Sequence, residues 1–96
     1  MQYFTHNEKE FEVNCTSLMG YVDVPYDRLE AYFGKPMDMC GDGKVQAEWL
    51  VEFEDGKVAT IYDWKQYSTP YQEVRDWHIG GYDKDVVGRI QSILGA

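Results

Sequence analysis

The chain has 96 residues, an apolar share of 44% that includes eight Tyr and three Trp, and a formal net charge of −8. This length supports one domain with one modest core, and the apolar share is that of a globular chain rather than a disordered one. The acids are spread along the sequence and no basic block interrupts them. That balance argues against ordinary nucleic-acid binding and against attraction to an anionic membrane, and leaves a soluble protein, a basic protein partner or mimicry of a nucleic acid.

The first fourteen residues mix polar and aromatic types. They read as an ordered arm or a short strand over residues 11–14. They lack the apolar stretch of a signal peptide, and no run in the chain approaches the roughly 20 apolar residues of a membrane span. Cys15 and Cys40 are the only cysteines, too few for the disulfide framework of a small secreted domain. The expected setting is therefore cytoplasmic, with reduced thiols. Residues 16–24, "TSLMGYVDV", read as a strand interrupted by Gly20. Pro25 suits a first helical turn, and "YDRLEAYF" continues it with Leu29, Tyr32 and Phe33 on one face, until Gly34 and Pro36 end the helix. "KPMDMCGDGK" is a connector.

Residues 48–64, "EWLVEFEDGKVATIYDW", predict a β-hairpin. A two-residue type I′ turn at Asp55-Gly56 is the expected closure, since both positions favour φ > 0. That register pairs Phe53 with Val58, Val51 with Thr60, Trp49 with Tyr62 and Ala47 with Trp64 on one apolar face. The other face then holds Glu48 opposite Asp63, with Leu50 opposite Ile61 and Glu52 nearby. Residues 66–72 form a loop around Pro70, and 73–80, "EVRDWHIG", read as a further strand. The last segment is a helix capped by Asp83, stapled by Tyr82 onto Val87 and ended by Gly95. Its buried stripe is Val86, Val87, Ile90, Ile93 and Leu94. The expected fold is α+β in the order β-α-β-β-β-α. It is an antiparallel sheet of four strands, or five with the N-terminal segment, with both helices packed on one face.

The pair Glu48–Asp63 draws attention because like charges directly opposed across a sheet are destabilising. Beside an apolar Leu50–Ile61 pair, the acids resemble a binding surface for a basic partner. The competing expectation is a covered face, with the N-terminal arm on Leu50 and Ile61 and with Arg75 or Lys65 neutralising the acids. A bulge that shifts the register would also remove the conflict. Tyr67 and Tyr71, in the loop, fit a protein interface better than a core. A divalent cation held by Glu48, Asp63 and Asp76 is a weaker reading, because no diagnostic spacing supports it. Zinc bound by His6, Cys15, Cys40 and His78 lacks the usual ligand spacing. His78 pairs with no nucleophile and reads as structural. Gly80-Gly81 precedes a helix whose first turn carries Asp83 and Asp85. These acids repel a phosphate, so the glycines are expected to turn the chain. Trp49, Tyr62, Trp64 and Trp77 read first as core and second as stacking residues for a ligand.

"TSLMGY" at 16–21, "FGKP" at 33–36, "AEWLVEFEDGKVATIYDWK" at 47–65 and "WHIGG" at 77–81 occur in order. Together they resemble a group of small accessory proteins of tailed bacteriophages. The group offers no catalytic motif to transfer. The resemblance implies an accessory phage protein acting in the host bacterial cytoplasm, a setting in which such proteins inhibit or trigger defence systems. With the acidic surface, the leading reading is a non-enzymatic protein that binds a host or phage protein. No cofactor or metal is expected. The residues nominated for partner binding are Glu48, Leu50, Glu52, Ile61, Asp63, Tyr67 and Tyr71. Two alternatives stand beside this reading: a small-ligand protein that takes a nucleotide between sheet and helices, and a divalent-metal hydrolase built on the acids.

Overall fold

The computed structural model describes residues 2–5, 17–38, 47–64 and 70–95. Six strands are β1 (Tyr3–Thr5), β2 (Ser17–Asp23), β3 (Met37–Asp38), β4 (Ala47–Phe53), β5 (Val58–Tyr62) and β6 (Asp76–Gly81). Among the described residues, two helices, α1 (Tyr26–Phe33) and α2 (Asp85–Leu94), and a 3-10 turn at Tyr71–Glu73 accompany the strands. The strands form one antiparallel sheet in the order β1-β4-β5-β6-β2, with β3 also paired to β4. The predicted α+β class and the β-α-β-β-β-α order are present. The N-terminal strand is Tyr3–Thr5, and the strand expected over 11–14 lies outside the described residues.

The hairpin is where the structure departs from the sequence reading. Its register pairs Glu48 with Tyr62, Trp49 with Ile61, Leu50 with Thr60, Val51 with Ala59 and Glu52 with Val58. Every pair is one residue away from the expected one. The turn has three residues, Glu54, Asp55 and Gly56. Gly56 N–H donates to Phe53 O at 2.9 Å, Phe53 N–H donates to Lys57 O at 2.8 Å, and Gly56 has φ of 88°. This is a type I turn closed by a left-handed glycine that forms a bulge, the common alternative to a two-residue loop. Asp55 reinforces it by accepting Lys57 N–H at 3.3 Å.

A one-residue shift moves every side chain of a strand to the opposite face. Here it turns over β5 while β4 keeps its assignment. Trp49, Val51 and Phe53 are buried on the helix side, as expected, and they are joined by Ala59 and Ile61 instead of Thr60 and Tyr62. Trp77 and Ile79 of β6 and Val22 of β2 extend this face.

Both helices cover it. In α1 the buried residues are Tyr26, Leu29 and Phe33, at i, i+3 and i+7. Tyr32, expected on that stripe, is exposed. Gly34 ends α1 with φ of 80°, its N–H bonded to Glu30 O at 2.9 Å. In α2 the stripe Val86, Ile90, Leu94 is buried, with Val87 and Ile93 packed at its margins. Asp83 acts one step ahead of the regular helix, where its Oδ1 accepts Asp85 N–H at 2.9 Å and its carbonyl accepts Val86 N–H at 3.2 Å. Helix α2 sits very close to β2, because a Cβ on Gly20 would lie 2.9 Å from both Val87 methyls.

Two tryptophans form the centre. Trp49 and Trp77 meet edge to face at 5.2 Å between centroids, and both are fully buried. Each indole N–H has a carbonyl acceptor: Gly34 O at 2.7 Å for Trp49, and Val24 O at 3.1 Å for Trp77. Burying an indole without such a partner would forfeit much of the gain from its apolar area. Gly80 and Gly81, expected from sequence to turn the chain from strand to helix, lie instead within β6. A Cβ on Gly81 would approach Val58 O and Val86 Cγ2 to 3.0 Å, so the position is kept small by close contacts.

Candidate functional site

The register decides the fate of the acids. Glu48 and Asp63 lie on opposite faces of the hairpin and do not oppose each other. Asp63 is fully buried on the helix side, and its Oδ1 accepts Ala47 N–H at 3.0 Å. It closes the open end of the hairpin by satisfying the first backbone donor of β4. Ile61 is likewise fully buried there. Glu48 and Glu52 are half-buried on the far face, away from the helices, and Leu50 between them is buried. Of the remaining nominated residues, Tyr71 opens the 3-10 turn and Tyr67 lies outside the described residues. Lys65 and residues 6–14 of the N-terminal arm, expected as cover for this region, lie outside them as well.

The far face has an order of its own. Reading the registers across four strands aligns Glu48, Tyr62, His78 and Tyr21 in one row. The rings touch: Tyr21 and His78 lie 4.9 Å apart between centroids, nearly perpendicular at 79°, and Tyr62 and His78 lie 5.6 Å apart. Trp64 joins from just beyond β5, 6.3 Å from Tyr62 and 6.5 Å from His78. His78 therefore lies between Tyr21 on one flank and Tyr62 and Trp64 on the other. Tyr21 is 53% exposed and Trp64 38%, unlike the buried pair Trp49 and Trp77.

The Tyr62 phenol is held above its usual range, chiefly by burial and then by the negative charge of Glu48 and by Tyr21. The field of Glu48 thus reaches into the row. Tyr62 also covers a gap, since a Cβ on Gly80 would lie 3.4 Å from its ring and 2.6 Å from Thr60 Oγ1.

One step along the strands from this row, Asp23 directly opposes Asp76. Both are exposed. The sequence reading anticipated an opposed like-charge pair, but the fold places it between β2 and β6 rather than inside the hairpin. Arg75 Nε reaches Asp23 Oδ1 at 3.2 Å. Both partners are largely exposed, so this bond is a weak one. Among the described residues Asp76 makes no ion pair. The strand positions of the far face carry Asp23, Glu48, Glu52 and Asp76, and among the described residues no lysine or arginine.

The other cluster of charges is at the hairpin tip, where the acids are already matched. Arg89 of α2 binds both carboxylate oxygens of Asp55, at 2.8 and 2.7 Å, and reaches Asp85 at 2.9 Å. Its guanidinium also lies 5.1 Å from the centroid of the Phe53 ring. Lys57 bridges Asp83 at 3.2 Å and Asp85 at 3.4 Å. The Arg89 hydrogen bond holds the Asp55 carboxyl well below the usual carboxylate range. Asp83 is lowered first by the Asp85 N–H and then by Lys57. This network fastens the turn to α2 and explains its own charges.

Of the alternative chemistries, the cation site expected at Glu48 and Asp63 loses its geometry. Glu48 and Asp63 cannot share a cation from opposite faces, and among the described residues no three His, Cys, Asp or Glu gather to hold a metal. His6, Cys15 and Cys40 lie outside the described residues. The space between sheet and helices, proposed for a nucleotide, is filled by Trp49, Trp77, Phe33 and Ile90. Among the described residues no helix is long and apolar enough to cross a membrane.

Sequence reasoning placed Tyr62 and Trp64 in the core, treated His78 as structural and passed over Tyr21. The alternation of residues 16–24 and 73–80 already sets Tyr21 with Asp23, and His78 with Asp76, on common sides. What it lacks is the long-range match of β2 to β6 that makes them neighbours. Fold and site together define an α+β protein whose sheet is filled by helices on one face and carries an acid-bordered aromatic row on the other. Comparison with protein-family models, with curated proteins and with solved structures gave no match.

Proposed function

We propose that the protein is a non-enzymatic phage accessory protein that binds a host or phage protein through the far face of its sheet. It acts stoichiometrically in the bacterial cytoplasm, on a partner with a basic surface, and thereby inhibits or triggers a defence system. The observation that carries the binding reading is the row Glu48–Tyr62–His78–Tyr21 with Trp64 beside it. Its rings are in mutual contact and partly exposed, and the carboxylates around them include the opposed pair Asp23–Asp76. Exposed aromatic rings are enriched at protein interfaces, and complementary charge selects and steers the partner. The phage setting and the link to defence rest on the sequence resemblance.

Of the residues nominated from sequence, Glu48 and Glu52 belong to this surface and Ile61 and Asp63 do not, while Tyr21, Tyr62, Trp64, Asp76 and His78 join it. The test is a tagged pull-down from bacterial cells with mass-spectrometric identification, comparing wild type with Glu48→Lys/Asp76→Lys. The double variant is expected to lose at least nine-tenths of the captured partner while keeping a cooperative thermal unfolding transition, because Asp76 is exposed and Glu48 only half-buried. Undiminished capture by the folded double variant would remove the far face as the binding surface.

A further inference from the structure

The far face also specifies which basic side chain it takes. We propose that the exposed ring surface of Tyr21 and Trp64 around His78, with Asp76 beside it, seats the guanidinium of an arginine on the protein partner. The inference rests on the protein-binding reading and deepens it. Tyr21 on β2 and Trp64 just beyond β5 reach His78 from either side of β6, at 4.9 and 6.5 Å between centroids, and both keep ring surface in solvent on which a planar group can rest. Asp76 is the next residue along β6 on the same face as His78, and it is exposed to accept hydrogen bonds from such a group.

Charge sets the sign of the ligand. Asp76 directly opposes Asp23, and Arg75 bonds only the latter. Two opposed carboxylates repel, and a second cation delivered beside Asp76 relieves that repulsion. Glu48, beyond Tyr62, adds to the negative potential. The seat's chemistry then separates arginine from lysine. A guanidinium is flat and weakly hydrated, so it can stack on ring faces while its in-plane N–H groups meet a carboxylate. An ammonium is a compact, strongly hydrated charge that cannot do both. A second copy of this chain is a poor occupant, because an acidic face would meet its own charge.

The experiment uses the isotope-labelled full chain and three peptides of glycine and serine that differ at one central residue: arginine, lysine or the neutral isostere citrulline. Binding is followed by NMR through the His78 ring and Trp64 indole signals. The arginine peptide is expected to bind at least tenfold more tightly than the lysine peptide, and the citrulline peptide not to bind. Tyr21→Leu and Asp76→Asn should each weaken arginine binding about tenfold without moving the melting temperature by more than about 2 °C. Equal affinity for lysine and arginine overturns the arginine seat and leaves the wider reading of a basic partner in place. Arginine binding that survives both substitutions, or that moves signals only at other positions, overturns this cluster as its location. The pull-down answers the wider reading separately, since it reports capture whether or not arginine is the residue recognised.

Discussion

Glu48 and Asp63 start equal in the sequence, as two acids at the open end of one hairpin, and finish with opposite tasks. Asp63 is fully buried just past the end of β5, where it holds the Ala47 N–H. Glu48 lies on the far face beside Tyr62. The tryptophans divide in the same way. Trp49 and Trp77 fill the core with their N–H groups bonded to carbonyls, while Trp64 remains partly exposed beside His78. On the helix side each polar group is tied to a specific internal partner. On the far face acids oppose each other and rings meet solvent, an arrangement that stability alone does not favour. Residue type therefore does not tell core from surface in this chain; the face does.

The sharpest way to break this comparison is to truncate one tryptophan from each face. Trp77→Ala is expected to lose about 3–5 kcal/mol, enough to unfold much of a domain this small. Trp64→Ala should lose about 1 kcal/mol or less. Urea denaturation followed by far-ultraviolet circular dichroism checks both, and similar losses would erase the distinction between the faces. Next in size are the two acids. Asp63→Ala leaves a buried backbone donor without its acceptor and should cost about 1–3 kcal/mol, whereas Glu48→Ala should change stability by less than about 0.5 kcal/mol. The same denaturation curves give the answer.

A smaller effect belongs to the matched charges at the hairpin tip. The Asp55 carboxyl is held low chiefly by Arg89. A carboxyl lowered by folding stabilises the fold fully above its unfolded value of about 4, and that contribution fades as pH falls through the folded value. Asp55→Asn should therefore melt below wild type at pH 7, with the gap narrowing as pH drops from 5 to 2. Both groups meet solvent, so high salt should shrink the difference. Calorimetry across pH and salt checks this, and a gap that widens in acid would contradict it.

The smallest perturbation leaves the protein intact. Quenching of the solvent-accessible fluorescence, which comes from Trp64, should favour caesium over iodide when each is compared with a free tryptophan derivative. The surrounding carboxylates concentrate cations and repel anions. A preference for iodide would show that the acids do not govern the field at the row.

The sequence by itself determined the α+β class, the order of elements, both helix ends at glycine and the buried side of β4. Each of these rests on local chemistry: alternation with period two, a helical stripe, a left-handed cap. Tertiary structure decided which side of β5 faces inward, and with it the destinations of Tyr62, Ile61, Asp63 and Trp64. The turn residues permit two closures that differ by one residue, and a strand turns over completely with each such step. The closure adopted puts Ala59 and Ile61 under the helices and leaves Asp55 bonded to Arg89 of α2. The aromatic row was hidden for a related reason. Its members sit on β2, β5 and β6, and only long-range strand pairing brings Tyr21 beside His78, a match that no local pattern encodes.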